Sequence, residues 1–518
     1  MSSALSLVLL FSLATFVAIA TRVLRVPYTI GLVVAGLVVG TATDFEPPHL
    51  TKDLLFAVFL PGLLYEAAFH LEFRKFWENR VTIHVLAIPG LIAAVVLTAL
   101  LLTPAANALH FIDDFTLTDG FLFAAIIAAT DPVAVVSMFK SFGAPRRLTT
   151  LIEGESLFND GTSVVLFVVV LGAISAGEVS LWKSVVDFLL VVGMGVLVGA
   201  AIGFLLAQVT RFLEDPMLEI TLTTIAAYGS FVLAEHFHFS GVIATVVAGM
   251  LGGNYAARIG MSPATRVAVE SFWSYIAFAL NSIIFLLIGF EVSVSSLLSH
   301  WSAILVAFAA VSLGRGLMVF AATAFLRRTR EKIPWSWATV LTWGGLRGGL
   351  SMVLALGLPQ DFPHREFLVT VTFGVVVLSI LLQGLTMTAL LRRLGLLKEK
   401  AQRLTYERAR GALLIAQAAR AAIDALAGKG YAAKAVIDEL REVASARVEK
   451  ANADLHALGG ETQWVRHEQR FEIERHLLQV EKDAALAARR EATLGDEAAD
   501  ALIADIDARL HAIEERDA

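Results

Sequence analysis

Ala128-Ala129-Thr130-Asp131-Pro132 lies in the middle of an apolar stretch, 119–139, long enough to cross a bilayer at about 20 residues per span. Proline has no backbone donor and disfavours helix at the residue before it. The stretch therefore predicts a transmembrane helix broken or unwound around Thr130 and Asp131. Unwound backbone at membrane depth is tolerated only where it lines a cavity or is buried in protein. Exposed carbonyls and half-helix ends are also what cation sites in transporters use. Asp131 can at the same time cap the second half-helix.

The surrounding sequence places this break in a membrane protein. The 518 residues are 57% hydrophobic and 17% charged, against about 45–50% and about 25% in soluble domains; the mean hydropathy is +0.71. Charge is unevenly distributed. Residues 1–396 hold 22 Lys/Arg and 24 Asp/Glu, whereas 397–518 hold 19 and 23 in less than a third of the length. The reading is a membrane domain over 1–396 and a soluble tail over 397–518. Both parts are net acidic, which argues against nucleic acid as a partner. With no cysteine, disulfides, thiolate metal sites and cysteine nucleophiles are excluded. No Walker A loop or His-Glu-x-x-His motif occurs, so no cofactor is expected, and the energy source is an ion gradient or transport is passive.

Thirteen apolar spans are expected, near 4–21, 28–43, 54–70, 81–104, 119–139, 151–175, 184–207, 218–238, 240–254, 271–290, 301–326, 335–358 and 366–391. The eighth and ninth are barely separated. With the N-terminus outside, the cytoplasmic loops hold fifteen Lys/Arg and the outer loops three, Lys52, Lys183 and Arg365. That bias follows the positive-inside rule and puts the charged tail in the cytoplasm. No basic residue precedes the first apolar run, so it reads as a retained helix rather than a signal peptide.

Charges inside spans are costly and usually face a cavity or a partner. Those away from span ends are Glu66, Asp131, Glu155, Asp160, Arg315 and Arg347, with Glu153 closer to an end. Ser156, Asn159 and Asp160 recur at i, i+3 and i+4, which predicts one shared helix face. They offer two neutral oxygen ligands and a carboxylate, a set suited to a hard cation such as Na⁺ or Li⁺, with Asp160 as the metal ligand. Burial disfavours the ionised form of a carboxylate, so one group could exchange a proton for a cation. Arg347, in Gly344-Gly345-Leu346-Arg347-Gly348-Gly349, needs an anionic partner, and Glu155 is the expected one. The glycines would let backbones approach or the helix unwind. Glu66 is either a further site carboxylate or an acid snorkelling to the interface. Arg315 is expected to pair with an acid, Asp131 being one candidate. Asn281 reads as a hydrogen bond between helices.

Three motifs jointly resemble the NhaP/NHE-type cation:proton antiporters: Ala129-Thr130-Asp131-Pro132, Gly154 through Asp160, and Gly344-Gly345-Leu346-Arg347-Gly348. Leu60-Pro61 through Glu66, Phe272-Trp273, Asn281 through Phe285 and Gln383 through Thr386 extend the similarity over about 5–396. The resemblance implies an all-α membrane protein of thirteen helices, two inverted six-helix repeats plus a linker helix, working as a homodimer by alternating access. It implies Asp160 as the ion- and proton-binding acid, with Asn159, Ser156, Thr130 and Glu66 ligating or shaping the site. It further implies Asp131 in the unwound crossing helix and Glu155–Arg347 as a structural ion pair. The Asn159-Asp160 pair resembles the electroneutral branch, one Na⁺ for one H⁺. The second proline of the family's Leu-Pro-Pro is Gly62 here.

The tail breaks at Gly428-Lys429-Gly430, Gly459-Gly460 and Gly495. Ile437, Leu440, Ala444, Val448, Ala451 and Leu455 follow helical spacing. A C-terminal cytoplasmic helical domain is expected, a four-helix bundle or a dimerising coil. The expected function is electroneutral Na⁺(Li⁺)/H⁺ antiport in a bacterial inner membrane, with the lipid bilayer, monovalent cations, protons and a second copy as partners. The rivals are K⁺/H⁺ exchange on the same fold and a passive cation channel or sensor.

Overall fold

The computed structural model describes residues 3–24, 27–42, 54–176, 181–213, 215–257, 260–291, 293–329, 331–396, 400–428, 433–459, 463–490 and 493–517. The chain divides into two compact units, Met1–Leu397 and Lys398–Ala518.

The first unit is helical among its described residues. It opens with α1 (Ser3–Leu24), α2 (Tyr28–Ala42) and α3 (Leu60–His70), the last entered through a π-helical turn at Leu55–Phe59. Pro61 sits in the first turn of α3, where its missing donor costs nothing. Short helices α4 (Phe73–Glu78) and α5 (Arg80–Val85) follow. A second π-helical turn, Leu86–Gly90, then absorbs Pro89 and leads into α6 (Leu91–Ala108). Next come α7 (Leu117–Ile126), α8 (Val133–Phe142), α9 (Arg146–Ala176), α10 (Leu181–Thr210), α11 (Pro216–His236) and α12 (Gly241–Leu251). The unit closes with α13 (Pro263–Glu291), α14 (Val294–Ser299), α15 (Trp301–Leu326), α16 (Trp335–Trp343), α17 (Gly349–Leu356) and α18 (Arg365–Arg393).

Among the described residues, seven helices are long and apolar enough to cross a membrane: Arg80–Ala108, Arg146–Ile174, Val186–Thr210, Pro216–His236, Thr265–Glu291, Trp301–Leu326 and Arg365–Arg393. Shorter apolar helices, including Tyr28–Ala42, Phe56–His70, Leu117–Ile126 and Gly241–Ala256, lie between them. The sequence's eighth and ninth spans are separate helices, α11 and α12. The chain turns between them through His238 at positive φ, and Ser240 caps α12 by accepting from the Ile243 amide.

Two helices are interrupted rather than continuous, and they position the site. The break between α7 and α8 covers 127–132, centred where Pro132 predicts it. The break between α16 and α17 covers 344–348, within the run of glycines. The two extended segments meet, and the Asp131 amide donates to the Leu346 carbonyl at 2.8 Å. A large apolar core surrounds this junction, drawing Phe123, Ile126, Val135, Phe139, Ile284, Leu287, Met352 and Val376 from five helices. Gly36 on α2 and Gly289 on α13 pack backbone to backbone, the close approach that small residues permit between membrane helices.

The second unit contains α19 (Lys400–Gly428), α20 (Lys434–Gly459), α21 (Gln463–Arg490) and α22 (Asp496–Asp517). α19 packs on α20, and α21 on α22. The expected break at Gly428 holds as the end of α19, while Lys429 and Gly430 lie outside the described residues. Gly459 likewise ends α20, and Gly460 lies outside.

Candidate ion site

The site grows from α9. Ser156, Glu155, Asn159 and Asp160 stand on it, but successive helical residues turn by about 100°, so they point to different places. Asp160 and Ser156 are one turn apart and face a cavity of about 660 Å³. Thr130, Asp131, Glu66, Glu153, Asn281 and His70 line the same cavity. Among the described residues no protein donor bonds the Asp160 carboxylate, which leaves its oxygens to the cavity. Asp131 is held more firmly: its Oδ1 accepts from the Val133 amide at 2.9 Å, capping α8. Capping and a place on the cavity wall therefore coincide in one side chain.

The polar face of α9 also props the broken helix. Ser156 Oγ donates to the Thr130 carbonyl. Asn159 Nδ2 donates to Thr130 Oγ1 at 2.9 Å and to the Ala128 carbonyl at 3.3 Å. These bonds satisfy backbone that the break leaves without helical partners. Asn159 does not join Asp160 on the cavity wall, which corrects the expectation of one shared ligand face. It lies a quarter turn away, beside a void of about 20 Å³ lined by Glu155, Arg315, Arg347 and Thr98. Among the described residues its buried Oδ1 has no protein partner, and the void has room for one water.

The ion pair is also different from the expected one. Glu155 pairs with Arg315, not with Arg347: Arg315 Nη1 and Nη2 each donate to a Glu155 oxygen at 3.1 Å. Both side chains are buried, at 7% and 4% exposure. Arg315 therefore takes Glu155 rather than the Asp131 suggested as one candidate. Arg347 is committed elsewhere, since its Nη1 donates to the carbonyls of Ala128 and Ala129 at 2.7 and 3.2 Å. Its own amide donates to Ser379 on α18 at 3.1 Å.

This division has an electrostatic logic. The last carbonyls of a helix lack partners and carry partial negative charge. Arg347 answers two carbonyls of the break just past α7, those of Ala128 and Ala129. Arg315 answers the end of α16, donating through Nε and Nη2 to the Leu341 carbonyl at 3.1 and 2.9 Å. Each broken helix thus has one guanidinium at or just past its first half's C-terminal end, and Glu155 balances that of Arg315. The arginines form a positive layer on one side of the crossing, with the acids Asp131, Asp160 and Glu66 on the cavity side.

Two glycines make the crossing possible. A Cβ on Gly348 would strike the Asp131 side chain, and one on Gly345 would strike the Arg315 guanidinium. Gly348→Ala is expected to cost about 1–3 kcal/mol, the usual penalty for overpacking, and to displace Asp131. Unfolding in detergent checks the first effect. A variant as stable as the parent would show that the approach is looser than drawn.

Of the residues named from sequence, the structure brings together Glu66, Thr130, Asp131, Ser156 and Asp160 around one cavity. Asn159, Glu155, Arg315 and Arg347 support it from the other side. Sequence reasoning missed His70 and Ser274, and it set Asn281 aside as an interhelical bond; all three line the cavity. Only His70 carried a signal, four residues after Glu66 and hence on its face of α3.

The profile of the family described as "Sodium/hydrogen exchanger, transmembrane" matches residues 8–393. The low-affinity Na⁺/H⁺ antiporter NhaS1 of Synechocystis is 40% identical over 388 residues, covering 74% of this chain and 72% of the relative. The Na⁺/H⁺ antiporter ApNhaP of Aphanothece halophytica is 38% identical over 396 residues, covering 76% and 74%. NhaS2 of Synechocystis is 33% identical over 525 residues, 98% of this chain and 94% of the relative, so its similarity extends into the tail. Among solved structures, the sodium proton antiporter MjNhaP1 of Methanocaldococcus jannaschii at pH 8 superposes with a TM-score of 0.63 at 20% identity. It covers 77% of this chain and 99% of that one, a likeness of fold.

Proposed function

The chain belongs to the sodium/hydrogen exchanger family, and from that premise we propose that it is an electroneutral Na⁺(Li⁺)/H⁺ antiporter in which cation and proton compete for Asp160. The observation that carries this reading is the Asp160 carboxylate, presented to a large cavity beside the broken α7–α8 helix with no protein donor among the described residues.

The chemistry follows from desolvation. An ionised carboxylate carried through the low-dielectric barrier without a counter-charge is expensive. A carboxylate bearing a proton or a cation is not. Crossing is then restricted to loaded states, and each cycle exchanges one cation for one proton. Asn159, and not a second acid, precedes Asp160, which keeps the carried charge the same in both directions. The Thr130 carbonyl, Ser156 and Glu66 are placed to share the cation's coordination, since hard cations prefer oxygen. Asp131 keeps α8 capped while the site fills. The crossing of α7–α8 with α16–α17 supplies the moving part of an alternating-access cycle, and thirteen spans in two inverted repeats supply its frame. The remaining assignments are a homodimer in the bacterial inner membrane, the N-terminus outside, and the helical unit 397–518 in the cytoplasm.

The test is proton flux in proteoliposomes under an imposed pH gradient, with Na⁺, Li⁺ or K⁺ added and the membrane potential clamped at two values. Flux that follows Na⁺ and Li⁺, ignores K⁺ and is indifferent to voltage is the expected result. A response to K⁺ would reassign the cation but keep the mechanism. Cation flux without proton exchange would replace it with a passive channel.

A further inference from the structure

The cavity wall formed by α3 and α13 carries a polar group that the exchange cycle above does not use. Ser274, Ala277, Asn281 and Ile284 recur at helical spacing and line the cavity from α13. α3 packs against α13, with Gly62 against Leu280 and the Tyr65 and Trp273 rings 4.7 Å apart. Since 62 meets 280 and 65 meets 273, the two helices run antiparallel. Asn281 is therefore level with the start of α3, roughly 10 Å along the wall from Glu66 at a rise of 1.5 Å per residue. Just beyond it, Ile284 meets Gly349, and the preceding glycine, Gly348, meets Asp131. Asn281 thus faces the cavity beside the crossing, not beside Glu66. We propose that Asn281 is a further cation ligand: its amide oxygen completes the coordination of the cation at Asp160 from across the cavity, so that a bound cation, unlike a proton, ties α13 to the crossing. The proposal rests on the antiport reading of the same site.

Among the described residues, the Asn281 side chain makes no hydrogen bond to protein. The role of joining helices falls to its neighbour. Ser282 Oγ lies 2.6 Å from the Tyr28 hydroxyl of α2 and donates to the Phe278 carbonyl, and the Tyr28 ring stacks on Phe278. These contacts, with the backbone approach of Gly36 to Gly289, fix the rotation of α13 and hold Asn281 towards the cavity. A polar amide at membrane depth is costly without a partner, and the partner on offer is whatever enters the cavity. A hard cation prefers several oxygens. The crossing and α9 supply the Thr130 carbonyl, Ser156 and Asp160 from one side. A neutral amide oxygen adds a ligand without adding charge, so one carboxylate still balances one Na⁺. A proton on Asp160 is bound by its own oxygen and needs no such ligand. Asn281 therefore strengthens the cation-loaded state and leaves the proton-loaded state unchanged.

A plain helix-to-helix hydrogen bond from Asn281 would affect stability but not cation affinity. The experiment separates the two in full-length protein. The Na⁺ concentration giving half-maximal stabilisation against thermal unfolding is measured in detergent, and the KM for Na⁺ in proteoliposomes. Asn281→Ala is expected to raise both by about tenfold, the scale of one contact to a charged group. Its unfolding temperature without Na⁺ should match wild type. Asn281→Leu, of similar size but without the oxygen, should behave like Asn281→Ala. Asn281→Asp keeps an oxygen at the same position and should bring the Na⁺ midpoint back to wild type or below. Midpoints unchanged in the Ala and Leu variants would overturn the proposal, as would a shift that Asn281→Asp fails to reverse. Loss of the folded protein in both apolar variants is the helix-bond result and would also overturn it. If Na⁺ stabilises wild type but drives no proton exchange, the antiport reading fails while the midpoints still decide the role of Asn281. A wild type that Na⁺ does not stabilise overturns both.

Discussion

Asp160→Asn is expected to reduce exchange to the rate of empty liposomes while leaving the protein folded. Asparagine has nearly the same shape but can neither take up the proton nor balance the cation's charge. Stability should stay level or rise, because the substitution removes a carboxylate that the fold desolvates with no protein donor among the described residues. The combination is diagnostic. Lost activity with lost stability would mark Asp160 as a structural acid, and retained exchange would move the proton-carrying role to Asp131 or Glu66. Flux assays and unfolding in mixed detergent micelles, run on the same preparation, read both quantities.

Arg315→Ala is expected to have the opposite signature, a loss of about 3–5 kcal/mol in stability, as when one partner of a buried ion pair is removed. It leaves Glu155 buried without its bidentate partner and strips two donors from the Leu341 carbonyl. Arg315→Lys should recover only part of the loss, since an ammonium cannot match two carboxylate oxygens and a carbonyl at once. Arg347→Ala should cost less, because it frees the carbonyls of Ala128 and Ala129 rather than a full charge. Its penalty should fall at about 1.5–3 kcal/mol, the range for hydrogen bonds from a charged group. A double-mutant cycle separates the two arginines: Glu155 should couple strongly to Arg315 and weakly to Arg347. Equal coupling energies would refute the pairing.

These two substitutions bear on how the site could be read from sequence. The break at Thr130–Asp131 was legible because its cause is local: Pro132 constrains its own backbone and that of its neighbour. The polar face of α9 was legible for the same reason, since helical periodicity places Ser156 and Asp160 together. The wrong pairing of Glu155 came from a choice that sequence spacing does not constrain. Glu155 precedes Asp160 by five residues, which turns it about 140° away around the helix. Which arginine meets it there depends on how α9 is rotated against α15 and α16. Arg315 is 160 positions away, and no local rule links the two.

By itself, the amino-acid sequence determined the class of the protein, the site of the helix break, the acids that must be accommodated in a membrane, and the family resemblance. The first three follow from composition or from residues close together in the chain, and the resemblance from its three motifs taken jointly. Tertiary structure alone decided which polar groups face the cavity and which brace it from behind. It turned Asn159 onto the Thr130 hydroxyl, gave Arg315 to Glu155 and Arg347 to the carbonyls of the break after α7, and set His70 beside Glu66 on the cavity wall. The physical reason is that a buried charge is satisfied by whichever partner the packed helices bring within about 3 Å, and helix rotation and packing, not sequence distance, decide that partner.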